Sequence, residues 1–273
     1  MQHIIDCHCH VYPDKIAEKA AEATGKFYSL PMEYNGTIGT VFEEAKKSGV
    51  SHCVIFSVAT KPSQVRSINE FIAATVAKSP EFFTGLGALH PDSEDIEGDI
   101  EHLMSLGLKG GKLHPDIQAF EIDNEKSMKI CSICEEKGLP VLFHTGDRRY
   151  DYSNPNRLKP VLQAHPNLTV IAAHLGGWSV WEDAVKELAH FKNLYVDCSS
   201  SLAFMPLERI TEIIKTFGAE KVLFGTDYPM WNISDELDRF SRLGLSDEER
   251  ELILCKNAQK LFGIKLNCVE NNG

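Results

Sequence analysis

Short apolar runs recur along the chain at intervals that suit alternating strands and helices. Eight of these runs are rich in Val, Ile, Leu and Phe and are bounded by Gly, Pro or polar residues, which is typical of buried strands. The predicted strands cover residues 4–10, 52–58, 82–89, 106–113, 139–145, 168–173, 194–198 and 222–226. The pattern therefore predicts eight strands spread over nearly the whole chain.

The segments between the predicted strands carry apolar residues at helical spacing. One apolar face consists of Val65, Ile68, Ile72 and Val76. Gly107 and Gly138 follow two further helical patterns, at the position where a left-handed residue commonly ends a helix. Ser246 and Glu249 have the spacing of a capping box ahead of the last helical pattern. Each predicted strand is thus followed by a predicted helix.

Alternation of strand and helix predicts a parallel sheet. Eight β-then-α units in 273 residues favour a closed (β/α)8 barrel of the TIM type, forming a single domain over residues 1–273 with its core at about 3–263. The competing architecture is an open doubly wound sheet, which would carry a glycine-rich turn after the first strand, and the sequence has none there. Residues 12–39 exceed a minimal βα connection and predict an added helix and loop over the barrel mouth.

Composition and charge exclude several classes of partner. The net charge of −11 disfavours nucleic acid and anionic membrane surfaces, because both require a basic protein surface. No apolar run approaches the length of a membrane span, and the first residues do not form a signal peptide, so a cytoplasmic protein is expected. Cys131 and Cys134 lie at helical spacing and predict core packing rather than a redox site. A homodimer is the default expectation for the assembly.

Side chains that bind metals or protons cluster at the carboxyl ends of the predicted strands, which is where active sites of such barrels lie. His8 and His10 are two residues apart on the first strand, so both rings point to one face, and imidazoles are good ligands for several divalent ions. This pair alone suits two hydrogen-bonded histidines equally well. The further polar residues at this rim favour a metal site; they are Lys112, His114, His144, His174 and Asp227.

Four short motifs carry a family resemblance. They are GKLHP (111–115), FHTG (143–146), AHLGG (173–177) and FGTDYP (224–229). Together with the initial His-x-His, they resemble the metal-dependent amidohydrolase superfamily, in particular its amidohydrolase-related branch with the aminocarboxymuconate-semialdehyde decarboxylase-like enzymes. The resemblance covers residues 3 to about 263, and it implies a barrel fold and a small-molecule substrate.

The resemblance also implies a set of site residues. His8, His10, His144 and Asp227 are expected to bind one divalent metal, and Asp227 and His174 are expected to act in catalysis. Zinc is the expected ion, with manganese or iron as alternatives. Three neutral imidazoles and one carboxylate leave an open position for water, and a bound divalent ion lowers the pKa of that water towards ~7.

These expectations favour a metal-dependent hydrolase that acts on a small amide, lactone or ester through a metal-activated water. The alternative is a metal-dependent decarboxylase or hydratase of an unsaturated or aromatic carboxylic acid on the same scaffold. A third interpretation is a barrel without activity that serves as a binding module, which the complete set of implied ligands disfavours.

Other residues near the mouth are candidate substrate contacts. Some branches of the superfamily have a carboxylated lysine near the position of Lys112; here an uncarboxylated ammonium is expected, which pairs with Asp227 or with an anionic substrate and leaves a single metal. His114, Arg148 and Trp178 are the further candidates, and an arginine can hold a substrate carboxylate through two hydrogen bonds.

Asp6 lies on the same strand face as His8, because the two residues are two positions apart. A carboxylate at that position could orient a metal-binding imidazole through a hydrogen bond.

Overall fold

Strands and helices alternate through residues 3–266, the part of the chain that the computed structural model describes. The strand segments of this part are β1 (Ile5–His10), β2 (His52–Phe56), β3 (Phe83–Gly85), β4 (Gly87–Ala88), β5 (Gly111–Leu113), β6 (Val141–Phe143), β7 (Val170–Ala172), β8 (Leu194–Asp197) and β9 (Val222–Leu223). Residues 1–2 and 267–273 of the predicted domain lie outside the described residues.

The helices surround these strands. In the described part they are α1 (Asp14–Tyr28), α2 (Ile38–Lys47), α3 (Val65–Lys78), α4 (Ile96–Ser105), α5 (Pro115–Gln118), α6 (Glu125–Glu136), α7 (Pro155–Ala164), α8 (Trp181–Leu188), α9 (Leu207–Phe217), α10 (Ile233–Ser241), α11 (Asp247–Glu251) and α12 (Asn257–Phe262). Ser246 and Glu249 form the predicted capping box at the start of α11. None of the helices between residues 3 and 266 is both long and apolar enough to span a lipid bilayer.

The strands are parallel and form a (β/α)8 barrel from two hydrogen-bonded sheets, β1–β3 and β4–β9. The third predicted strand is divided at Leu86 into β3 and β4. Leu86 donates its backbone N–H to Ile55 O at 3.0 Å, and Gly87 donates to Gly110 O at 2.8 Å. This strand therefore pairs with β2 through β3 and with β5 through β4.

The remaining two edges of the sheets also meet. Cys7 donates its backbone N–H to Phe224 O at 2.8 Å, and His10 donates to Tyr228 O at 2.7 Å. β1 is thus hydrogen-bonded to the chain that continues from β9, which closes the ring. Closure brings the carboxyl ends of all strands to one rim.

The fourth predicted strand is shorter than expected. β5 covers only Gly111–Leu113, whereas the apolar run starts at residue 106. Leu106 instead caps α4, donating its backbone N–H to His102 O at 3.1 Å, and Gly107 has a φ of 77°. A leucine suits the end of a helix as well as the start of a strand, so the apolar pattern did not locate this boundary.

Alternate residues of the strands form two apolar layers. The barrel interior includes Ile5, Phe56 and Leu142, with Phe262 of α12 packed against it. The layer between strands and helices includes Cys131 and Cys134, which are fully buried as predicted. Residues 12–39 form α1 and a loop beside the mouth of the barrel, so the predicted addition is present.

Candidate active site

His8, His10 and Asp227 bring three potential ligand atoms together at the rim. His8 and His10 end β1, and Asp227 follows β9 with a φ of 62°. Asp227 Oδ1 lies 3.3 Å from His8 Nε2 and 3.6 Å from His10 Nε2, and the two Nε2 atoms are 3.3 Å apart. Ligand atoms bonded to one tetrahedral ion at ~2.0–2.1 Å lie roughly 3.3 Å apart, so the spacing suits a divalent metal.

A hydrogen bond behind the His8 ring determines which nitrogen faces this point. His8 Nδ1 lies 2.9 Å from Asp197 Oδ2, and an ionised carboxylate only accepts, so Nδ1 carries the hydrogen. His8 Nε2 therefore has a lone pair and faces Asp227 Oδ1, a second acceptor. Two acceptors 3.3 Å apart are stabilised by a cation between them, which can be a proton or a metal ion. The chemistry of these donors fits the cation that the resemblance implies.

His174 and His144 continue the row of imidazoles at the ends of β7 and β6. His174 Nδ1 lies 3.1 Å from the carbonyl oxygen of Ser199, so Nδ1 carries the hydrogen and Nε2 the lone pair. His174 Nε2 then accepts from His144 Nδ1 at 2.9 Å, which leaves a lone pair on His144 Nε2. The His174 ring lies between the others, 5.1 Å from the His8 centroid and 4.7 Å from that of His144.

His114 stacks on His144 but has the opposite tautomer. The two rings are 4.0 Å apart and nearly parallel, at 7°. His114 Nδ1 accepts the backbone N–H of Ile117 at 3.2 Å, so Nε2 carries the hydrogen and donates to the Tyr28 hydroxyl oxygen at 2.8 Å. The ligand atoms of His114, Asp116 and His144 lie within 4.8 Å of one another, but His114 Nε2 has no lone pair for an ion. His114 is therefore a hydrogen-bond donor at the cavity.

Tyr28 is a site residue that the sequence did not reveal. It is the last residue of α1, and its hydroxyl lies 2.8 Å from His114 Nε2 and 3.3 Å from His144 Nε2. Burial raises the pKa of Tyr28 well above its usual value, so the phenol stays neutral. A tyrosine at a helix end is not a signal in itself; only the position of α1 over the barrel brings it to the histidines.

Burial keeps four imidazoles of the site neutral. It lowers the pKa of His10, His114 and His144 well below the usual value, and the nearby charge of Lys112 lowers all three further. Burial also lowers the pKa of His174 to about 4. Neutral imidazoles retain the lone pairs that metal binding requires.

Lys112 lies beneath the histidines, on the interior side of β5. It is 1% exposed, and its Nζ is 4.9 Å from the centroid of the Phe56 ring. Within residues 3–266 this Nζ has no hydrogen-bond partner, so the expected pair with Asp227 is not formed. Burial lowers the pKa of Lys112 to about 8. The other expectation, a contact with an anionic substrate, stays a prediction.

Asp197, and not Asp6, orients the His8 imidazole. Asp6 accepts the backbone N–H groups of His8 at 3.1 Å and of Thr226 at 3.0 Å, so it joins β1 to the chain after β9 rather than orienting a ring. Asp197 holds the His8 imidazole instead. The available signal was an acidic residue at the carboxyl end of the seventh strand, on the rim that carries the histidines.

Arg148 and its neighbour Arg149 lie in different surroundings. Arg148 is exposed, its backbone N–H donates to Ser179 Oγ at 3.0 Å, and among the described residues it is not part of the cavity wall. The Arg149 guanidinium instead binds the buried carboxylate of Asp147 through Nε at 2.9 Å and Nη2 at 2.7 Å. Its Nη1 donates to Phe27 O at 2.6 Å, which ties this loop to α1.

Trp178, a predicted substrate contact, lies beside the end of α1. Its ring packs edge-to-face on Tyr28, with centroids 5.2 Å apart and planes at 76°. The Arg149 guanidinium carbon lies 5.8 Å from the centroid of the Trp178 ring. Trp178 therefore packs against Tyr28, the residue whose hydroxyl contacts the histidines.

A cavity of about 610 Å³ opens beside these residues. Its inner end is formed by His10, His114, His144, His174 and Asp227. Its walls are mostly apolar and come from α1, from α3 and from the chain after β2. An apolar cavity with a few convergent polar groups at one end is typical of a small-molecule site.

A protein-family model described as amidohydrolase matches residues 5–264. The chain belongs to the amidohydrolase family. The resemblance seen in the motifs is therefore confirmed, and this amidohydrolase is an enzyme of that superfamily.

Relatives of this amidohydrolase include named decarboxylases. The 2-amino-3-carboxymuconate-6-semialdehyde decarboxylase of Dictyostelium discoideum is 24% identical in an alignment of 265 positions, gaps included, that covers 78% of this chain and 71% of that protein. An uncharacterized TIM-barrel protein of Bordetella bronchiseptica has a TM-score of 0.81 at 22% identity, over 96% of this chain and 99% of that one. A dihydroxybenzoic acid decarboxylase of Polaromonas sp. JS666 has a TM-score of 0.74 at 18% identity, over 97% and 98%.

These comparisons bear on the reaction and the metal. Both named enzymes are decarboxylases, so the comparisons support the decarboxylase alternative better than the hydrolase interpretation. The Polaromonas enzyme was solved with bound manganese and the inhibitor 2-nitroresorcinol. A metal site in this amidohydrolase agrees with that likeness, while the identity of the ion, expected to be zinc, stays a prediction.

Proposed function

We propose that the protein is a metal-dependent decarboxylase of an aromatic or unsaturated carboxylic acid. The observation that carries the proposal is the meeting of His8 Nε2, His10 Nε2 and Asp227 Oδ1 within 3.6 Å of one another at the inner end of an apolar cavity. The decarboxylases among the relatives support this reaction over hydrolysis.

His8, His10 and Asp227 would hold the divalent ion, and His144 is the further ligand that the resemblance implies, although its ligand atoms group with those of His114 and Asp116 in the structure. When bound there, such an ion supplies a positive charge that holds an oxygen of the acid and stabilises negative charge in the transition state. His8 and His144 offer unprotonated Nε2 atoms, because their Nδ1 hydrogens are donated to Asp197 and His174. The hydrogen bond to Asp197 directs the His8 lone pair at Asp227, and the hydrogen bond to His174 leaves His144 Nε2 beside the Tyr28 hydroxyl, at 3.3 Å.

Decarboxylation replaces the carboxylate on a carbon atom by a proton. The carbon that carries the carboxylate takes up one proton, the bond between the two carbons breaks, and carbon dioxide leaves. Asp227 is the acid–base residue of the proposal, because it lines the cavity and Ser200 Oγ donates to its Oδ2 and orients the carboxyl group. His174 takes the supporting role, holding His144 while remaining neutral near pH 7.

The remaining polar groups of the cavity would position the acid. The Tyr28 hydroxyl, whose oxygen accepts the His114 Nε2 hydrogen, is a hydrogen-bond donor at the cavity that suits a carboxylate or phenolic oxygen. The apolar walls would pack against an aromatic ring or an unsaturated chain. This arrangement excludes bulk water from one side of the acid, which strengthens each of these polar contacts.

The test is metal analysis combined with an assay for carbon dioxide. Purified protein is expected to contain about one divalent ion per chain, and the manganese- or zinc-loaded protein should release carbon dioxide from an acid such as 2,6-dihydroxybenzoate. Chelation should abolish the release and added ion should restore it, and Asp227→Asn should remain inactive when loaded. Hydrolysis of amides, lactones or esters without any release of carbon dioxide from a panel of acids would instead support the hydrolase interpretation.

A further inference from the structure

α1 has two apolar faces, and only one of them packs into the protein. Ala17, Ala21 and Gly25 are buried. A second stripe at positions i, i+4, i+7 and i+11 faces the cavity; it consists of Ile16, Ala20, Ala23 and Phe27. Ile16 is 51% exposed, and among the described residues no member of the stripe belongs to the hydrophobic core. The stripe is therefore an apolar surface outside the hydrophobic core of the described residues, and Phe27 at its end stacks on Tyr150.

α3 presents a matching surface to the same cavity. Val65, Asn69 and Ile72 form its buried face, while Ile68 and Phe71 line the cavity. The two helices thus border one groove, and the chain after β2 forms its floor at Val58 and Thr60. The groove is continuous with the end that contains the histidines and Asp227, since all of them line one cavity.

The groove is larger than one aromatic ring requires. A cavity of roughly 150 Å³ is enough to bind benzene, whereas this one has about 610 Å³. The stripe from Ile16 to Phe27 extends about 16 Å along α1 at ~1.5 Å per residue. A single ring bound at the histidines would leave most of this length unfilled.

The charges of the groove restrict what can fill it. Among the described residues that line the cavity, Asp227 is the only carboxylate, and it lies at the histidine end. Lys19 is the only ammonium on the wall, and it is exposed. The stretch between them is apolar apart from neutral hydroxyl and amide groups such as Thr24 and Gln64. An uncharged tail suits this stretch, because a charged group would lose its hydration without a partner.

We propose that the substrate is a carboxylic acid with an extended, uncharged apolar tail that lies between α1 and α3. This inference rests on the decarboxylase proposal for the position of the carboxylate, and it adds the length and polarity of the rest of the molecule. The alanines of α1 leave space for the tail, while Ile68 and Phe71 pack against its other side.

The probe is a series of 4-alkylbenzoates, from benzoate to 4-octylbenzoate, titrated by calorimetry into the manganese-loaded full-length protein. Each methylene that enters the groove should lower Kd by about two- to fourfold. Ala20→Leu and Ala23→Leu each fill the groove without disfavouring the helix, so each should reduce the ratio of benzoate Kd to octylbenzoate Kd by at least about tenfold. Lys15→Leu is the matched control, since Lys15 is exposed on α1 and lies outside the cavity wall.

Two results would overturn the inference. The first is a Kd that does not depend on chain length. The second is a decrease in the ratio of benzoate Kd to octylbenzoate Kd that is as large in Lys15→Leu as in the alanine variants, which would indicate adsorption to the surface. The test of the groove can be distinguished from the test of decarboxylation. Release of carbon dioxide from short acids with no gain from longer tails rejects the groove and keeps the decarboxylase. A clear gain with chain length but no carbon dioxide from any acid keeps the groove and rejects the decarboxylase.

Discussion

The carboxylate of Asp197 accepts the Nδ1 hydrogen of His8 over 2.9 Å, beneath the cavity and out of contact with solvent. The other oxygen of Asp197 accepts the backbone N–H groups of His174 and Ser199, each at 3.1 Å. Burial raises the pKa of Asp197, but His8 and the other partners more than offset this effect and hold the pKa below its usual range. One buried carboxylate thus holds an imidazole of β1 and the ends of β7 and β8.

Asp197→Asn should weaken metal binding about 10- to 100-fold. An amide has only one accepting oxygen, so its NH2 group must face either the His8 Nδ1 hydrogen or the two backbone N–H groups. The measurement is a competition titration of Mn²⁺ against a chelator of known affinity. Asp238→Asn, an exposed change on α10, should leave the affinity unaltered, and an equally small effect of Asp197→Asn would contradict the role given to this hydrogen bond.

Tyr28→Phe should lower kcat/KM about 10- to 100-fold at neutral pH, because it removes a buried hydroxyl and leaves the His114 Nε2 hydrogen without its partner. The assay is release of carbon dioxide by the loaded enzyme. Tyr150→Phe is the control: Tyr150 stacks on Phe27 with centroids 6.0 Å apart and is 40% exposed. An unchanged kcat/KM in Tyr28→Phe would mean that the hydroxyl does not act on the substrate.

Glu236 should make the protein less stable as pH rises. Its carboxyl group is fully buried in α10, burial raises its pKa from 4.5 to about 7, and within the described residues its Oε2 has no hydrogen-bond partner. Below pH 4.5 the group is protonated in both states. Between about 4.5 and 7 only the unfolded chain releases the proton, so the free energy of unfolding falls, by at most about 3 kcal/mol.

Glu236→Gln should remove this decline, so that the variant gains stability over the natural protein between pH 5 and pH 8. Urea unfolding at several pH values measures the difference in the free energy of unfolding. Parallel curves for the two proteins across this range would show that the buried carboxyl group is not responsible.

Gly146→Ala should destabilise the protein by at least about 2 kcal/mol. Gly146 follows β6 with a φ of 79°, and an added Cβ would lie 2.5 Å from the Gly177 carbonyl carbon, where the chains after β6 and β7 meet. Gly138 has a φ of 63° but open space around it, so Gly138→Ala should cost only the backbone strain, about 1 kcal/mol. Equal losses in thermal unfolding would contradict the steric argument.

The barrel and much of the site could be predicted because both depend on local spacing. Apolar runs located the strands, and the carboxyl ends of parallel strands must share a rim, so His8, His144 and Asp227 were expected to be neighbours. The division of the third strand at Leu86 follows from its pairing with two different neighbours, which no single run of residues encodes, and the late start of β5 follows from the end of α4 at Leu106.

The roles that the sequence could not assign depend on contacts between distant segments. Asp6 is the second residue of β1 and Asp197 is the last residue of β8, and only the folded ring decides which one reaches the His8 ring. The tautomer of His114 follows from the backbone N–H of Ile117, whose position depends on the turn into α5. Tyr28 reaches the histidines only because α1 folds across the mouth.

Arg149 joins α1 to the loop after β6, which is far from it in the chain. Its guanidinium carbon lies within 5.8 Å of the ring centroids of Phe27, Tyr28, Tyr150 and Trp178, and its Nη1 holds the Phe27 carbonyl. If α1 were replaced by the corresponding helix of another family member, the contacts with Arg149 would be lost unless the loop after β6 were replaced as well. Chimeric enzymes designed to change substrate selectivity should therefore exchange α1 and the loop after β6 together.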